Sequence, residues 1–465
     1  MNSHYTYKNL LVEIEMLPLK NISYQFMKYL RPIWYFHLKP NNSCNFWPDY
    51  QSLNNEQKKI INYDNNYSNK KISNWDASYQ ALLKGIVVKN IQGPKLQDID
   101  ICAIDIYNFV RKYNKSFWVY ITFFQRIFLL NNPFSELFAI WKTRKIKNIN
   151  IYANNYNYSD YQNYSSDLLK KNPNIIIIIP TYNRYDSLFS VLTDLNEQKY
   201  TNFKVMIIDQ SNPYNHKFYN ELDDRYTVIR QNEPALWQAR NRGVINLKSD
   251  YYLFLDDDTR VESDWIIEHI KCLDYFKADI SSGISISQIG SKTPANYSFF
   301  RLSDQIDTGN VMIKRDVFKE CGLFDEQFEK MRMGDAEFGL RSYIKGFKNI
   351  SNPFASRLHL KDSKGGLRDM GHWDVVRSKK FMSPRPIPSA LYFYRKYWGN
   401  KAAMLSCVIS VPFNLLPYKY KRQSFSPLLS FILFILFSPL FIMLVIKSWI
   451  KSTKMLSEGE KITTL

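Results

Sequence analysis

The chain has 465 residues, of which 16% are aromatic and 23% charged, and it carries a formal net charge of +19. That much apolar material excludes a wholly disordered chain and allows two or three domains with a sizeable core. No zinc-finger, RNA-recognition or leucine-zipper pattern accompanies the basic surplus, so nucleic acid is not the expected partner.

In chain order, residues 1–147 form a region of unknown role, expected to be mainly helical. Its start, "MNSHYTYKNLLVEIEM", lacks the basic-then-apolar layout of a signal peptide. Within it, "SFWVYITFFQRIFLL" (Ser116 to Leu130) is apolar and aromatic but too short to span a bilayer. A buried or interfacial helix is expected there. Residues 148–173 are polar, rich in Asn and Tyr and without periodicity, and read as a linker. The cysteines Cys44, Cys102, Cys272, Cys321 and Cys407 show no C-x-x-C spacing, which argues against a disulfide framework or structural zinc and suits a reducing cytoplasm.

From residue 174 the pattern changes. "NIIIIIP" and "FKVMIID" read as buried strands, "SLFSVLTDLNEQ" and "PALWQARNRGVINL" as helices, and "YYLFLDDD" as a strand ending in three carboxylates. In the second helix Gly243 marks either an end or a tight packing point. This alternation predicts an α/β fold with a mostly parallel central sheet, whose ligands sit beyond the carboxyl ends of the strands. Thr181, Asp209 and Asp256 to Asp258 all fall at such ends.

Residues 363–422 read as a basic extension on the acceptor side or close to a membrane. Residues 361–465 hold 17 Lys and Arg against 5 Asp and Glu. Within 423–447, "LLSFILFILFSPLFIMLVI" is long enough, at roughly 28 Å as a helix, to cross a bilayer or enter it re-entrantly around Pro439. A basic tail, 448–465, follows. A buried core helix is the alternative.

Side chains of an extended segment alternate, so Asp256 and Asp258 share a face and Asp257 points away. Two such carboxylates suit a hard divalent cation, Mg²⁺ or Mn²⁺; an acidic loop capping the next helix is the plainer reading. Asp209, in "IIDQSNP", fits a turn or a hydrogen bond to a base or ribose. Arg240 fits an exposed helix face or a diphosphate contact. In "MGDAEFGLR", Asp335 is an N-cap or a general base, and Glu337 is a first-turn acid or that base. His359 is a structural histidine or a third metal ligand. His372 and Trp373 line an acceptor site or pack in a loop.

Taken together and in order, "IIIIIPTYNR", "VMIIDQSNP", "ARNRG", "YYLFLDDDTRVESDWI", "TGNVMIKRDVFKECGLFDEQF" and "GDAEFGLR" resemble the family 2 glycosyltransferases of the GT-A fold. The resemblance covers 174–362. It implies a nucleotide-sugar donor, an inverting transfer and a metal held on the donor diphosphate by Asp256 and Asp258, with His359 as a late ligand. Pro180, Thr181, Tyr182, Arg184, Asp209, Arg240, Asp256 and Asp257 then fall on the donor side, and Gly309 and Asn310 on the acceptor side. Asp335 matches the base. Two features depart from the family pattern. Gly334 stands where the family commonly has Glu, and "NEPALWQARN", with Pro234 and Trp237, replaces a Gly-rich approach. A glycan or lipid-linked acceptor and the cytoplasmic face of a membrane complete the expectation. The rivals are a nucleotidyltransferase and a non-catalytic nucleotide-sugar or glycan-binding protein.

Overall fold

The computed structural model describes residues 25–30, 33–38, 40, 46–88, 101–287, 293–361, 382–413, 429, 432–433 and 435–465. His372, Trp373, residues 363–381 and 414–422 of the extension expected near the acceptor or membrane, and much of 423–434 in the expected membrane segment lie outside the described residues.

The sheet begins with β1 (Ile175–Thr181), β2 (Phe203–Asp209), β3 (Tyr226–Arg230) and β4 (Tyr251–Leu255), paired in parallel in the order β3-β2-β1-β4. The five isoleucines of β1 are buried on both faces, which is why the run carries no alternation. Thr181 pairs directly with Asp209, so both stand at the carboxyl edge of the sheet.

Beyond β4 come β5 (Thr259–Val261), β6 (Ile280–Ser287), β7 (Arg301–Leu302), β8 (Asn310–Lys314) and β9 (Asn349–His359). The path continues β4-β8-β6-β9-β5, with β7 on β9. Here β8 is antiparallel to both β4 and β6, β5 and β7 are antiparallel to β9, and only β6 and β9 run parallel. The sheet is therefore mixed, not mostly parallel as expected. A parallel neighbour needs a crossover long enough for a helix. Between β6 and β8 the described chain holds only a short 3₁₀ turn and β7. The reversal of β8 brings its first residues, Gly309 and Asn310, to the edge where β4 ends, since Asn310 pairs with Leu255.

The helices are α1 (Asn55–Lys59), α2 (Lys70–Leu83), α3 (Ala103–Tyr113), α4 (Phe117–Phe128), α5 (Pro133–Lys142) and α6 (Asp167–Lys170) before the sheet. Within and after it come α7 (Tyr185–Asn196), α8 (Leu236–Asn246), α9 (Trp265–Phe276), α10 (Arg315–Cys321), α11 (Gly334–Ile344), α12 (Pro388–Phe413) and α13 (Ser438–Glu458). The described N-terminal region is helical, as expected. One face of β1 (Ile175, Ile177, Ile179) packs on Leu188, Val191, Leu192 and Leu195 of α7 and on α9. These α7 residues recur at helical spacing. The other face (Ile176, Ile178) joins Trp237 of α8 and aromatics of the N-terminal region, including Phe26, Phe36 and Phe109, in one cluster.

The segment read as a polar linker lies against the sheet domain. Tyr161 is buried with Cys272, Phe276, Phe300 and Ile350, and its hydroxyl donates to Glu268 at 2.9 Å.

Among the described residues, no helix is long and apolar enough to cross a membrane. The segment 423–447 enters α13 at Ser438. There Phe441 and Leu444 pack on Leu391 and Cys407 of α12, and Arg395 donates to Ser452 at 2.7 Å. The helix runs on to Glu458 past Lys447, Lys451 and Lys454, so apolar and charged positions share it. The chain end then returns to the sheet domain, where Leu323 donates to the Thr463 carbonyl at 2.8 Å.

Gly243 is a packing point and not a helix end. A Cβ there would lie 2.6 Å from Ile178 of β1. Gly243→Ala is expected to cost about 1–3 kcal/mol through overpacking, read as a lowered urea midpoint.

Candidate active site

The carboxyl edge of β1 and β4, the start of β8 and the end of β9 surround a cleft of about 590 Å³. Pro180, Thr181, Tyr182, Arg184, Arg240, all three acids of the triplet, Gly309, Asp335 and His359 line it. Three expected residues do not. Asp209 is fully buried and accepts from the Tyr185 and Tyr219 hydroxyls, each at 2.8 Å, and from the Ser211 amide at 2.7 Å. Asn310 accepts from Trp265 Nε1 at 2.9 Å and donates to the carbonyls of Ile284 and Ala355, which ties β8 to its surroundings. Glu337 is the third.

The three carboxylates all line the cleft, Asp257 included, because the triplet is a bend and not the extended segment that would turn its middle residue away, and each meets an arginine. Asp256 accepts from Arg240 at 3.0 Å on one oxygen and from Arg357 at 2.8 Å on the other. Burial alone would push its pKa up, but Arg357 and Arg240 outweigh burial and hold it well below the usual carboxylate range. Asp257 accepts from Thr181 Oγ1 at 2.8 Å and from Arg184 at 3.2 Å. Burial outweighs Arg184 there and, with the Asp258 charge beside it, pushes this carboxyl up to about 7. Asp258 Oδ2 lies 3.0 Å from Arg184 and 3.3 Å from His359 Nε2, without the geometry of a hydrogen bond.

Asp256, Asp258 and His359 each offer a ligand atom, and these atoms lie within 4.8 Å of one another. Two oxygens and an imidazole suit Mn²⁺, and Mg²⁺ less well. The buried Asp258 oxygen without a hydrogen bond fits a cation ligand; the Asp256 oxygens already have guanidinium partners for which a cation would compete. Gly309 makes room here, since a Cβ on it would lie 2.1 Å from Asp256 Oδ2 and 2.2 Å from the Arg357 guanidinium.

Arg357 went unread in the sequence, as did Asp307, which it also grips at 3.1 Å. A signal was present: Arg357 stands two residues before His359 on β9 and so shares its face.

Asp335 and Glu337 separate. Asp335 opens α11 on the cleft side, half-buried, and accepts from the Ala336 amide at 2.8 Å. Burial raises its pKa, and the Asp307 charge adds to that. Glu337 is fully buried and receives Arg341 and Lys396, each at 2.9 Å, and the Tyr397 hydroxyl. It anchors α12 to the helix that presents Asp335. Met333, immediately before, has φ of 86°. A Cβ on Gly334 would lie 2.4 Å from the Trp237 indole, and that indole donates to the Phe328 carbonyl at 3.0 Å.

Residues 176–323 match the family model described as glycosyl transferase family 2. The chain is a glycosyltransferase, and its residues 176–323 are similar to family 2. It is 29% identical over 208 residues to the amylovoran biosynthesis glycosyltransferase AmsB of Erwinia amylovora, covering 39% of this chain and 68% of that one. It is also 29% identical over 166 residues to glycosyltransferase GlyA of Streptococcus pneumoniae, covering 34% of this chain and 22% of the relative. Among solved structures, GalNAc-T7 with UDP, GalNAc and Mn²⁺ is similar at a TM-score of 0.41 and 15% identity, over 57% of this chain and 58% of that one. The family model and the curated relatives set a sugar transferase above the nucleotidyltransferase reading.

Glu337→Ala is expected to lose about 3–5 kcal/mol of stability, because Arg341 and Lys396 are left buried without it; chemical denaturation reads this. Burial raises the Glu337 pKa, but Arg341 and Lys396 outweigh it and lower it to about 2 from an ordinary 4.5. A depressed folded pKa contributes stability above the unfolded value and loses it as pH falls through the folded one. The wild type therefore sheds this contribution between about pH 4.5 and 2, and Glu337→Gln flattens that part of the stability–pH curve.

Proposed function

We infer that the protein transfers a sugar, with inversion, from a nucleotide-diphosphate sugar to a hydroxyl of a glycan or lipid-linked acceptor in polysaccharide synthesis. One observation carries this reading. A carboxylate without an ion pair among the described residues, Asp335, shares one cleft with the cluster Asp256, Asp258 and His359. An inverting transfer needs those two functions in one place, a base for the acceptor hydroxyl and a cationic seat for the donor diphosphate.

Asp335, as carboxylate, takes the proton from the acceptor hydroxyl as that oxygen attacks the anomeric carbon. Its raised pKa makes it a better base than an ordinary exposed Asp. Arg240 and Arg357 supply positive charge beside the donor diphosphate. Thr181, Tyr182 and Arg184 form the donor-side wall. Asp256, Asp258 and His359 would hold Mn²⁺ or Mg²⁺, which when bound neutralises charge on the leaving nucleoside diphosphate. The basic C-terminal region, 17 Lys and Arg against 5 acids over 361–465, favours an acceptor held at the cytoplasmic face of a membrane with anionic lipid.

The test is nucleoside diphosphate release from UDP-, GDP- and dTDP-sugars, with lipid extract as acceptor. Asp335→Asn is expected to lower turnover by about 10²- to 10⁴-fold while keeping donor affinity. Asp258→Asn and chelation of the metal are expected to weaken donor binding itself. Full turnover in Asp335→Asn sinks the base assignment. Retained anomeric configuration by NMR sinks inversion, and pyrophosphate as product restores the nucleotidyltransferase reading.

A further inference from the structure

We propose that the α4–α5 hairpin docks the protein onto an anionic phospholipid surface by inserting its outer face into one leaflet. The proposal rests on the preceding reading in one respect only, a membrane-held acceptor.

The hairpin is amphipathic with its polar side inward. Arg126 and Glu136 lie 8% and 1% exposed and face the protein. They form a two-pronged pair at 2.7 and 2.8 Å, completed by Tyr107 donating to Glu136 and Arg126 donating to Tyr29. The outward side is apolar. Tyr120, Phe124 and Phe128 follow one another at every fourth position of α4 and are 60%, 68% and 88% exposed. The turn adds Leu129 and Leu130, the latter 94% exposed, and α5 adds Phe134, Leu137, Phe138 and Trp141. Single exposed apolar residues are ordinary, but a continuous face of them marks an interaction surface.

Charge selects the occupant. From residue 115 to 147 the one acidic residue is the buried Glu136, while Lys115, Lys142, Arg144, Lys145 and Lys147 are exposed at the base of the hairpin, where its two chain ends lie side by side, Asn148 donating to the Asn114 carbonyl at 3.1 Å. An apolar, aromatic face and turn with cations at its base matches an anionic bilayer surface. A second copy would bring cations onto cations. The helices, 12 and 10 residues long, reach about 18 and 15 Å. They enter the hydrocarbon edge without crossing it.

Flotation of the full chain with vesicles of mixed phosphatidylglycerol and phosphatidylcholine tests this. The wild type is expected to float. Phe128→Glu/Leu130→Glu is expected to bind about tenfold less or weaker still, with unchanged circular dichroism because both residues are exposed. Lys142→Gln/Lys145→Gln/Lys147→Gln is expected to bind less and to lose salt sensitivity. The proposal is overturned if the double glutamate variant floats like the wild type. It is equally overturned if the wild type does not float, whether or not sedimentation shows a dimer that the glutamates break. Donor binding measured on the same samples keeps this outcome separate from that of the transferase mechanism.

Discussion

Three adjacent carboxylates at the end of a buried strand cannot stand without compensating charge, and the architecture around the cleft meets that constraint. Arg184 comes from the turn after β1, Arg240 from α8 and Arg357 from β9. Each must be delivered to the end of β4, so the helix between β3 and β4 and the long last strand both carry a residue to one place. The cleft is thus strongly charged but locally balanced, and an incoming diphosphate meets guanidinium groups already positioned by acids.

The second ordering element is the buried Glu337. Its partners Lys396 and Tyr397 lie on α12 and Arg341 one turn further along α11. The same lysine reaches Glu460 at 3.0 Å. The C-terminal helices are therefore fastened to the helix that aims Asp335 into the cleft. Disturbance in the C-terminal region can reach the candidate base through that fastening without touching the donor wall.

The sequence made the parallel half of the sheet legible because β1, β2 and β4 are buried on both faces and separated by helices of ordinary period. The antiparallel half was hidden, since β6, β8 and β9 pair across long stretches of chain and no local pattern states their direction. Asp256 and Asp258 do come together, and with His359, but the triplet is a bend and not extended chain, so Asp257 lines the same cleft instead of pointing away, and Arg357, on the His359 face of its strand, went unread. Spacing alone did not separate Asp335 from Glu337, and only the family resemblance favoured Asp335. Two positions on a helix are about 200° apart, so one had to face away from the other. Which one faced the cleft depended on Lys396, 59 residues beyond Glu337. Asp209 was read for its place at the sheet edge, which the structure keeps, while two tyrosine hydroxyls occupy its carboxylate.

The contact between Trp237 and Gly334 links the two places where this chain leaves the pattern of its family. The indole fills the volume that any side chain at 334 would require, and its own hydrogen bond to the Phe328 carbonyl keeps it from swinging aside. The tryptophan of one departure thus rests on the glycine of the other. In this chain an acid at 334 would meet an occupied site, so it would need the indole to give way first. Within this chain the indole and the bare backbone at 334 fit only as a pair.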